Sequence, residues 1–332
     1  MTWILVEYIW LDSTNALRSK IRTLPDTAVS SFLKYTWDFD EQTLIPLRIY
    51  KSPAHFSSHA YYFLLCESVS QEETHRSILT GTLQTMPKKL SPTIGFEQEY
   101  FLFETKTGTV IDAHHVWIKP GTTFCGQSKY SIDVHKLMRT HAEWCLEASI
   151  MFAGYNLEEA PGQYKFKIGP RIGNASELGG LPIKGESCIL KVCDDLIMAR
   201  FLLHKVCELY ALMPVFEPKP FVEENGSGCH TDFAVSFIRN ADKKEKSKKR
   251  LEKFIEILKF GHTQVMEDEL YGVGNKKRLC GKHGAIDYKH FTGSIRIKTG
   301  NEYIQDKRPA ANCNPYIVAN YLCSMSRNAS DT

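Results

Sequence analysis

The sequence lacks the features of secreted, membrane-spanning and nucleic-acid-binding proteins. No apolar run among its 332 residues reaches the roughly 18 residues that a membrane-spanning helix requires. Its ten cysteines include no C-x-x-C pair, a pattern that we interpret as reduced, mostly buried thiols. A net charge of +3 is too small to indicate a nucleic acid as the main partner. These absences predict a cytoplasmic protein with neither a membrane nor a nucleic-acid partner.

The apolar start of the chain, MTWILVEYIW, lacks the basic segment and the small-residue cleavage site of a signal peptide, and Glu7 interrupts it. It therefore predicts a buried strand. The apolar pattern divides the chain into two parts, residues 1–90 and 91–332. In the first part, strands are predicted at 3–12, 18–24 and 60–69, and a helix is predicted from Ser70, with Glu73 in a capping box.

The second part alternates predicted strands with long helices, which is typical of mixed folds. A stretch rich in proline and lysine, residues 86–93, is predicted to link the two parts. Predicted strands lie at 93–104, 213–220, 228–237 and 294–300, and predicted helices at 134–152, 193–212 and within the charged run 240–260.

The strand at 93–104 places Glu97 and Glu99 on one face, together with Phe101 and Phe103. Two carboxylates on so apolar a strand cost free energy unless a cation meets them. A strand with solvated ends and a divalent-metal site are both open interpretations. His230, beside a glycine-rich turn, allows a structural or a ligand role.

The segment QYKFKI, residues 163–168, alternates in the same way. Its aromatic and aliphatic residues face one side, and Gln163, Lys165 and Lys167 face the other. The strand alone leaves open whether this basic face is solvated surface or an altered site.

Taken in order along the chain, the motifs WDFD, GFEQEYFLFE, QYKFKIGP, FEPKP, GSGCHTDF, SIRI and QDKRPAANCNPY closely resemble the eukaryotic-type (type II) glutamine synthetases. The resemblance runs from about Tyr8 to Tyr316. It implies an α+β protein with an N-terminal β-grasp domain and a C-terminal catalytic α/β domain. It also implies a homo-oligomer of pentameric rings, possibly a decamer, with active sites between neighbouring subunits. In this family ATP phosphorylates glutamate and ammonia displaces the phosphate, with Mg²⁺ or Mn²⁺ ions holding the reacting oxygens.

The resemblance also implies which residues stand at metal-ligand positions. They are Glu97, Glu99, Glu158, His230 and Gln305. Lys165 replaces a further ligand, which is a glutamate in the family, and Gln305 likewise stands where the family has glutamate. We expect the Lys165 ammonium to pair with Glu99 and Glu158 in place of one ion. Gln305 can still offer a carbonyl oxygen, so the second ion position is expected to be weakened, and fewer ions to bind.

Other family positions are kept or changed. The resemblance places Asp40, Arg278, Arg296, Lys307 and Arg308 at catalytic positions, and Pro170, Asp232, Arg239 and Tyr303 at nucleotide positions. Gly284 stands where the family has a glutamate on the flap, and Asp232 replaces an asparagine. Lys307 replaces an arginine and contacts phosphate only as a point charge.

Three hypotheses follow from this pattern. The chain is a working glutamine synthetase, or a non-catalytic relative that assembles with itself or with an active synthetase, or a ligase that joins glutamate to another amine. The substitutions at Lys165, Gly284 and Gln305 favour reduced or absent activity, as in a pseudoenzyme.

Overall fold

The chain is described here by a computed structural model. The structure describes residues 2–39, 42–54, 56–57, 59–69, 73–111, 124–125, 134–169, 188–221, 226–267, 270–279, 294–297 and 303–330. Three of the predicted site residues, Asp40, Pro170 and Gly284, lie outside these ranges.

The N-terminal part folds into a sheet with the strand order β2-β1-β5-β4-β3. The neighbouring strands β1 and β5 run parallel, and the remaining neighbours run antiparallel. A 3-10 helix, Asp26–Lys34, packs Ala28 and Phe32 against buried residues of this sheet. The strands are β1 Trp3–Leu11, β2 Leu17–Pro25, β3 Trp37–Phe39, β4 Gln42–Lys51 and β5 Tyr61–Val69.

A second sheet occupies the C-terminal part, with the order β11-β12-β10-β6-β8-β7, and β9 pairs with the far end of β6. The long strand β6 is central, and its antiparallel neighbours β8 and β10 lie on either side of it. Its strands are β6 Thr93–Glu104, β7 Phe152–Leu157, β8 Gln163–Ile168, β9 Leu212–Val215, β10 Cys229–Ala234, β11 Ile295–Ile297 and β12 Ile304–Asp306.

Helices cover the sheets, and the longest of them, α3, is buried along most of its length. The first helix begins later than predicted, because Thr74 rather than Ser70 precedes it and its side chain accepts a hydrogen bond from the Ser77 backbone N–H. The helices are α1 His75–Thr85, α2 Val134–Glu147, α3 Cys188–Glu208, α4 Ser236–Arg239, α5 Glu245–Phe260, α6 His262–Glu267, α7 Asn275–Leu279 and α8 Pro315–Ser330.

Buried charge joins α3 to the N-terminal sheet and to α1. Asp194 is fully buried and accepts hydrogen bonds from Arg48 on β4, Arg76 on α1 and Tyr316 on α8. Its neighbour Asp195 accepts from Tyr50 on β4. These contacts fix the N-terminal sheet against α1, α3 and α8 through groups that are costly to bury without partners.

The architecture confirms the predicted mixed α+β fold, with a strand-rich N-terminal part followed by a sheet covered by helices. One apolar core contains residues of both sheets, so the core does not mark a domain boundary. The predicted boundary at residue 90 stays a prediction. In the part of the chain that the structure describes, no helix is both long enough and apolar enough to span a membrane.

Candidate functional site

One face of the C-terminal sheet gathers most of the predicted site residues. The register places Glu97 on β6 directly opposite Lys167 on β8 and opposite His230 on β10. One pair further along, Glu99 lies opposite Lys165. Because side chains alternate between the two faces of a strand, all five project from the same face. Residues distant in the sequence are thus brought together by sheet register alone.

Lys165 lies among the carboxylates of this face. Its Nζ is 2.6 Å from Glu158 Oε1, in the turn after β7, and 3.4 Å from Glu97 Oε2. Burial opposes its charge, but the carboxylates of Glu97, Glu158 and Glu99 outweigh burial and raise the pKa of Lys165. The ammonium therefore stays protonated and serves as the cation of this cluster.

Glu97 is held by two ammonium groups. Lys167 Nζ donates to Glu97 Oε1 at 2.7 Å, while Lys165 faces Oε2. Burial alone would raise the pKa of this carboxyl, but the nearby charge of Lys165 and the hydrogen bond and charge of Lys167 lower it to about 2. Glu97 is therefore ionised throughout the physiological range.

Glu99 has a different environment from the one predicted for it. Its Oε2 accepts a hydrogen bond from the Gly228 backbone N–H at 2.8 Å, whereas the closest carboxylate partners of Lys165 are Glu158 and Glu97. The expected pairing of Lys165 with Glu99 and Glu158 is therefore corrected to Glu158 and Glu97. Burial, with the nearby Glu158 charge, raises the pKa of Glu99 to about 7.

His230 lies between the two β6 carboxylates. Its Nδ1 is 3.9 Å from Glu97 Oε2 and its Nε2 is 3.7 Å from Glu99 Oε1. Burial, with the nearby Lys165 charge, lowers the pKa of His230 well below its ordinary value, so the imidazole is neutral. Gly228 makes room for this ring, because a Cβ there would lie 3.0 Å from it and 3.1 Å from Arg278 Nη1.

Gln305 lies on the same sheet, opposite Asp232 on β10 and Arg296 on β11. Its side-chain nitrogen donates to Asp232 Oδ1 at 3.0 Å. The amide of Gln305 is thus engaged with a carboxylate on the adjacent strand.

The predicted catalytic arginines differ in their surroundings. Arg278 on α7 is partly buried and donates to the backbone carbonyls of Lys307, Arg308 and Pro309. Arg308 is fully buried, and its guanidinium pairs with Asp306 at 2.7 Å and caps the Leu258 carbonyl. These contacts give Arg308 a structural role, and its predicted catalytic role stays a prediction.

Two of the predicted nucleotide positions lie near the starts of β6 and β12. Arg239, at the end of α4, donates to Thr93 Oγ1 and to the Ser91 carbonyl, which ties α4 to the start of β6. Tyr303 directly precedes β12. Their predicted roles toward ATP stay predictions.

The cluster does not fit a divalent ion as arranged. Within the described ranges, no group of three or more His, Cys, Asp or Glu side chains is placed to hold a metal. The Lys165 ammonium lies where carboxylates from β6 and the β7–β8 turn converge, and a protonated amine has no lone pair to offer a metal.

Sequence reasoning missed two contributors to this cluster. Lys167 was assigned only to a basic face, and Asn156 on β7, whose Nδ2 donates to Glu158 Oε1 at 2.9 Å, was not considered. The alternation of QYKFKI already places Lys167 beside Lys165, so the signal for the first was present.

Comparison with known proteins finds relatives along nearly the whole chain. No family model matches the sequence. A putative glutamine synthetase of Acanthamoeba polyphaga mimivirus is 30% identical over 351 aligned positions, covering 96% of this chain and 92% of the viral protein. The glutamine synthetase of Candida glabrata is 30% identical, covering 96% of this chain and 88% of its own length. That of Macaca fascicularis is also 30% identical, with 95% and 87% covered.

The chain therefore belongs to the glutamine synthetase family, as its motifs predicted.

Proposed function

We propose that this protein is a glutamine synthetase family member in which the ligation of glutamate to ammonia is weak or absent. The observation that supports this most directly is the Lys165 ammonium, 2.6 Å from Glu158 and 3.4 Å from Glu97. In an active member, by the resemblance, these two carboxylates are ligands of divalent ions. A tethered ammonium carries one charge instead of two and cannot ligate the reacting oxygens.

Phosphoryl transfer to glutamate is the step that the missing divalent ion would affect. Transfer of a phosphoryl group depends on cations and donors preorganised around the moving group. Losing one such partner costs about 2–4 kcal/mol of transition-state stabilisation, or roughly 30- to 1000-fold in rate. The changes at Lys165 and Gln305 affect one cluster, so their effects are not multiplied. We expect glutamine formation well below that of an intact relative.

The test is phosphate release and glutamine formation by the purified protein with ATP, glutamate, ammonium and Mg²⁺ or Mn²⁺. The Candida glabrata enzyme, assayed in parallel, provides the reference rate. Turnover within a few-fold of that reference would contradict the proposal.

Retention of the fold beside a closed ion site favours a second role, that of a non-catalytic subunit. The long alignments and the apolar core that spans both sheets indicate that the fold has been kept, while Lys165 and Lys167 pair with carboxylates of the polar face. We propose that ATP binds beside Arg239 and Tyr303 and that the chain forms family-type rings with sites between neighbouring subunits. Size measurement by light scattering, alone and after mixing with an active synthetase, tests assembly.

Phosphate release with a larger amine but not with ammonium would favour a glutamate–amine ligase instead.

A further inference from the structure

Lys167 places a second ammonium group beside the carboxylates of this face. It lies on β8 two residues after Lys165 and directly opposite Glu97. Its side chain is 42% exposed, so it has free access to water, yet its Nζ turns back to Glu97 Oε1 at 2.7 Å. The contact therefore orders a long side chain that could otherwise remain solvated.

Both oxygens of Glu97 are consequently engaged by cations. Oε1 accepts from Lys167, and Oε2 faces Lys165 at 3.4 Å with His230 Nδ1 at 3.9 Å. A carboxylate binds a metal through the same oxygen lone pairs that these ammonium groups occupy. A divalent ion at Glu97 and His230 would have to displace Lys167 and then remain close to two ammonium charges.

The adjacent part of the face carries one further carboxylate, Asp232, which is engaged by a neighbouring side chain. Gln305 directs its amide nitrogen at Asp232, with 3.0 Å between Nε2 and Oδ1. This amide therefore adds no charge that would attract an ion to the Glu97 and His230 position.

We propose that Lys165 and Lys167 each replace one divalent cation, so that Glu97 and Glu158 are paired with cations of the protein without metal. Lys165 neutralises the position between Glu158 and Glu97, and Lys167 neutralises the position shared by Glu97 and His230. The inference rests on the proposed function, which supplies the two family ion positions. It adds that Lys167 closes the second ion position, at Glu97 and His230, which the Gln305 substitution alone would only weaken.

Mn²⁺ binding measured by calorimetry and by electron paramagnetic resonance tests this without any catalytic assay. The proteins are the wild type, Lys167→Gln, Lys165→Glu and the double variant, with Lys51→Gln as the matched control at an exposed lysine on β4. Wild type and control should bind no Mn²⁺ in the micromolar range. Because ligand charge tunes the affinity of such sites, Lys167→Gln should bind Mn²⁺ at least about tenfold more tightly than wild type. The double variant should bind it more tightly than either single variant.

Wild-type protein that binds Mn²⁺ as tightly as the double variant would overturn the inference. So would a Lys167→Gln protein indistinguishable from the Lys51→Gln control, because Lys167 would then be an ordinary surface lysine. A double variant that is folded by circular dichroism yet binds no Mn²⁺ would also overturn it. These outcomes leave the proposed function standing, since that fails only if the wild type makes glutamine at an ordinary rate.

Discussion

Two clusters of buried charge in this protein are built in opposite ways. At Asp194, one carboxylate is surrounded by donors, with Arg48, Arg76 and Tyr316 filling its oxygens in a site closed to solvent. At Lys165, the carboxylates of Glu97 and Glu158 meet the ammonium groups of Lys165 and Lys167, and the cluster retains partial exposure. The first has the geometry of a structural ion pair. The second keeps the arrangement of carboxylates around a cation and supplies that cation from the protein.

The largest effect is expected at the first cluster. Asp194→Asn would remove the buried carboxylate that Arg48 and Arg76 share, and removing one side of a buried pair costs about 3–5 kcal/mol. Urea unfolding followed by circular dichroism measures this change. Glu143→Gln, at an exposed position on α2, is the control and should change stability by less than about 0.5 kcal/mol. A loss below about 1 kcal/mol at Asp194 would show that the two clusters are not as different as described.

The next effect is a dependence on pH from the second cluster. Burial and Glu158 raise the pKa of Glu99 from 4.5 to about 7, so its proton is bound more tightly in the folded state. The stability that this group contributes is present below pH 4.5 and is lost as pH rises toward 7, by about 2–3 kcal/mol.

Glu99→Gln removes this titration while keeping an oxygen for the Gly228 N–H. The difference in unfolding free energy between variant and wild type should therefore grow in favour of the variant from pH 4.5 to 7. A difference that stays constant across this range would contradict the raised pKa.

The smallest effect is expected at Lys167. Its pair with Glu97 is partly exposed, so Lys167→Gln in metal-free buffer should cost less than about 1 kcal/mol, and added salt should reduce that cost. Urea unfolding at low and high ionic strength checks this. A loss as large as that at Asp194 would mean that Lys167 has mainly a structural role.

The sequence predicted the central strand well, because its signal is local. Strand β6 was predicted at 93–104 and is found as Thr93–Glu104, with Glu97 and Glu99 on one face as expected. Strand β4 was missed, since its buried positions include Pro46 and Arg48, which break the apolar alternation. The acceptor that allows Arg48 to be buried, Asp194, lies 146 residues away in the sequence. No local pattern contains that information.

The candidate site, like the fold, could be predicted from the sequence only in part. Family motifs brought Glu97, Glu158 and His230 to attention, and the sheet register and the turn after β7 place them together. Which carboxylates Lys165 contacts depends on how far its side chain reaches across β6 and β8. Of its two predicted partners, Glu158 is found, whereas Glu97 takes the place of Glu99. The burial of Arg308 against Asp306 depends on α5 and could not be read from its motif.

Thermal melting of wild type and Lys165→Glu, each with and without Mn²⁺, tests most directly whether Lys165 stands in for a divalent ion. Without metal, the variant gathers carboxylates in a confined space, which raises their pKa values and should lower its melting temperature. With Mn²⁺ it should recover, gaining about 2.7 kcal/mol when the ion is at 100 times its dissociation constant. The wild type should shift far less, because its own ammonium already fills the position. Equal Mn²⁺-induced shifts in the two proteins would contradict the account.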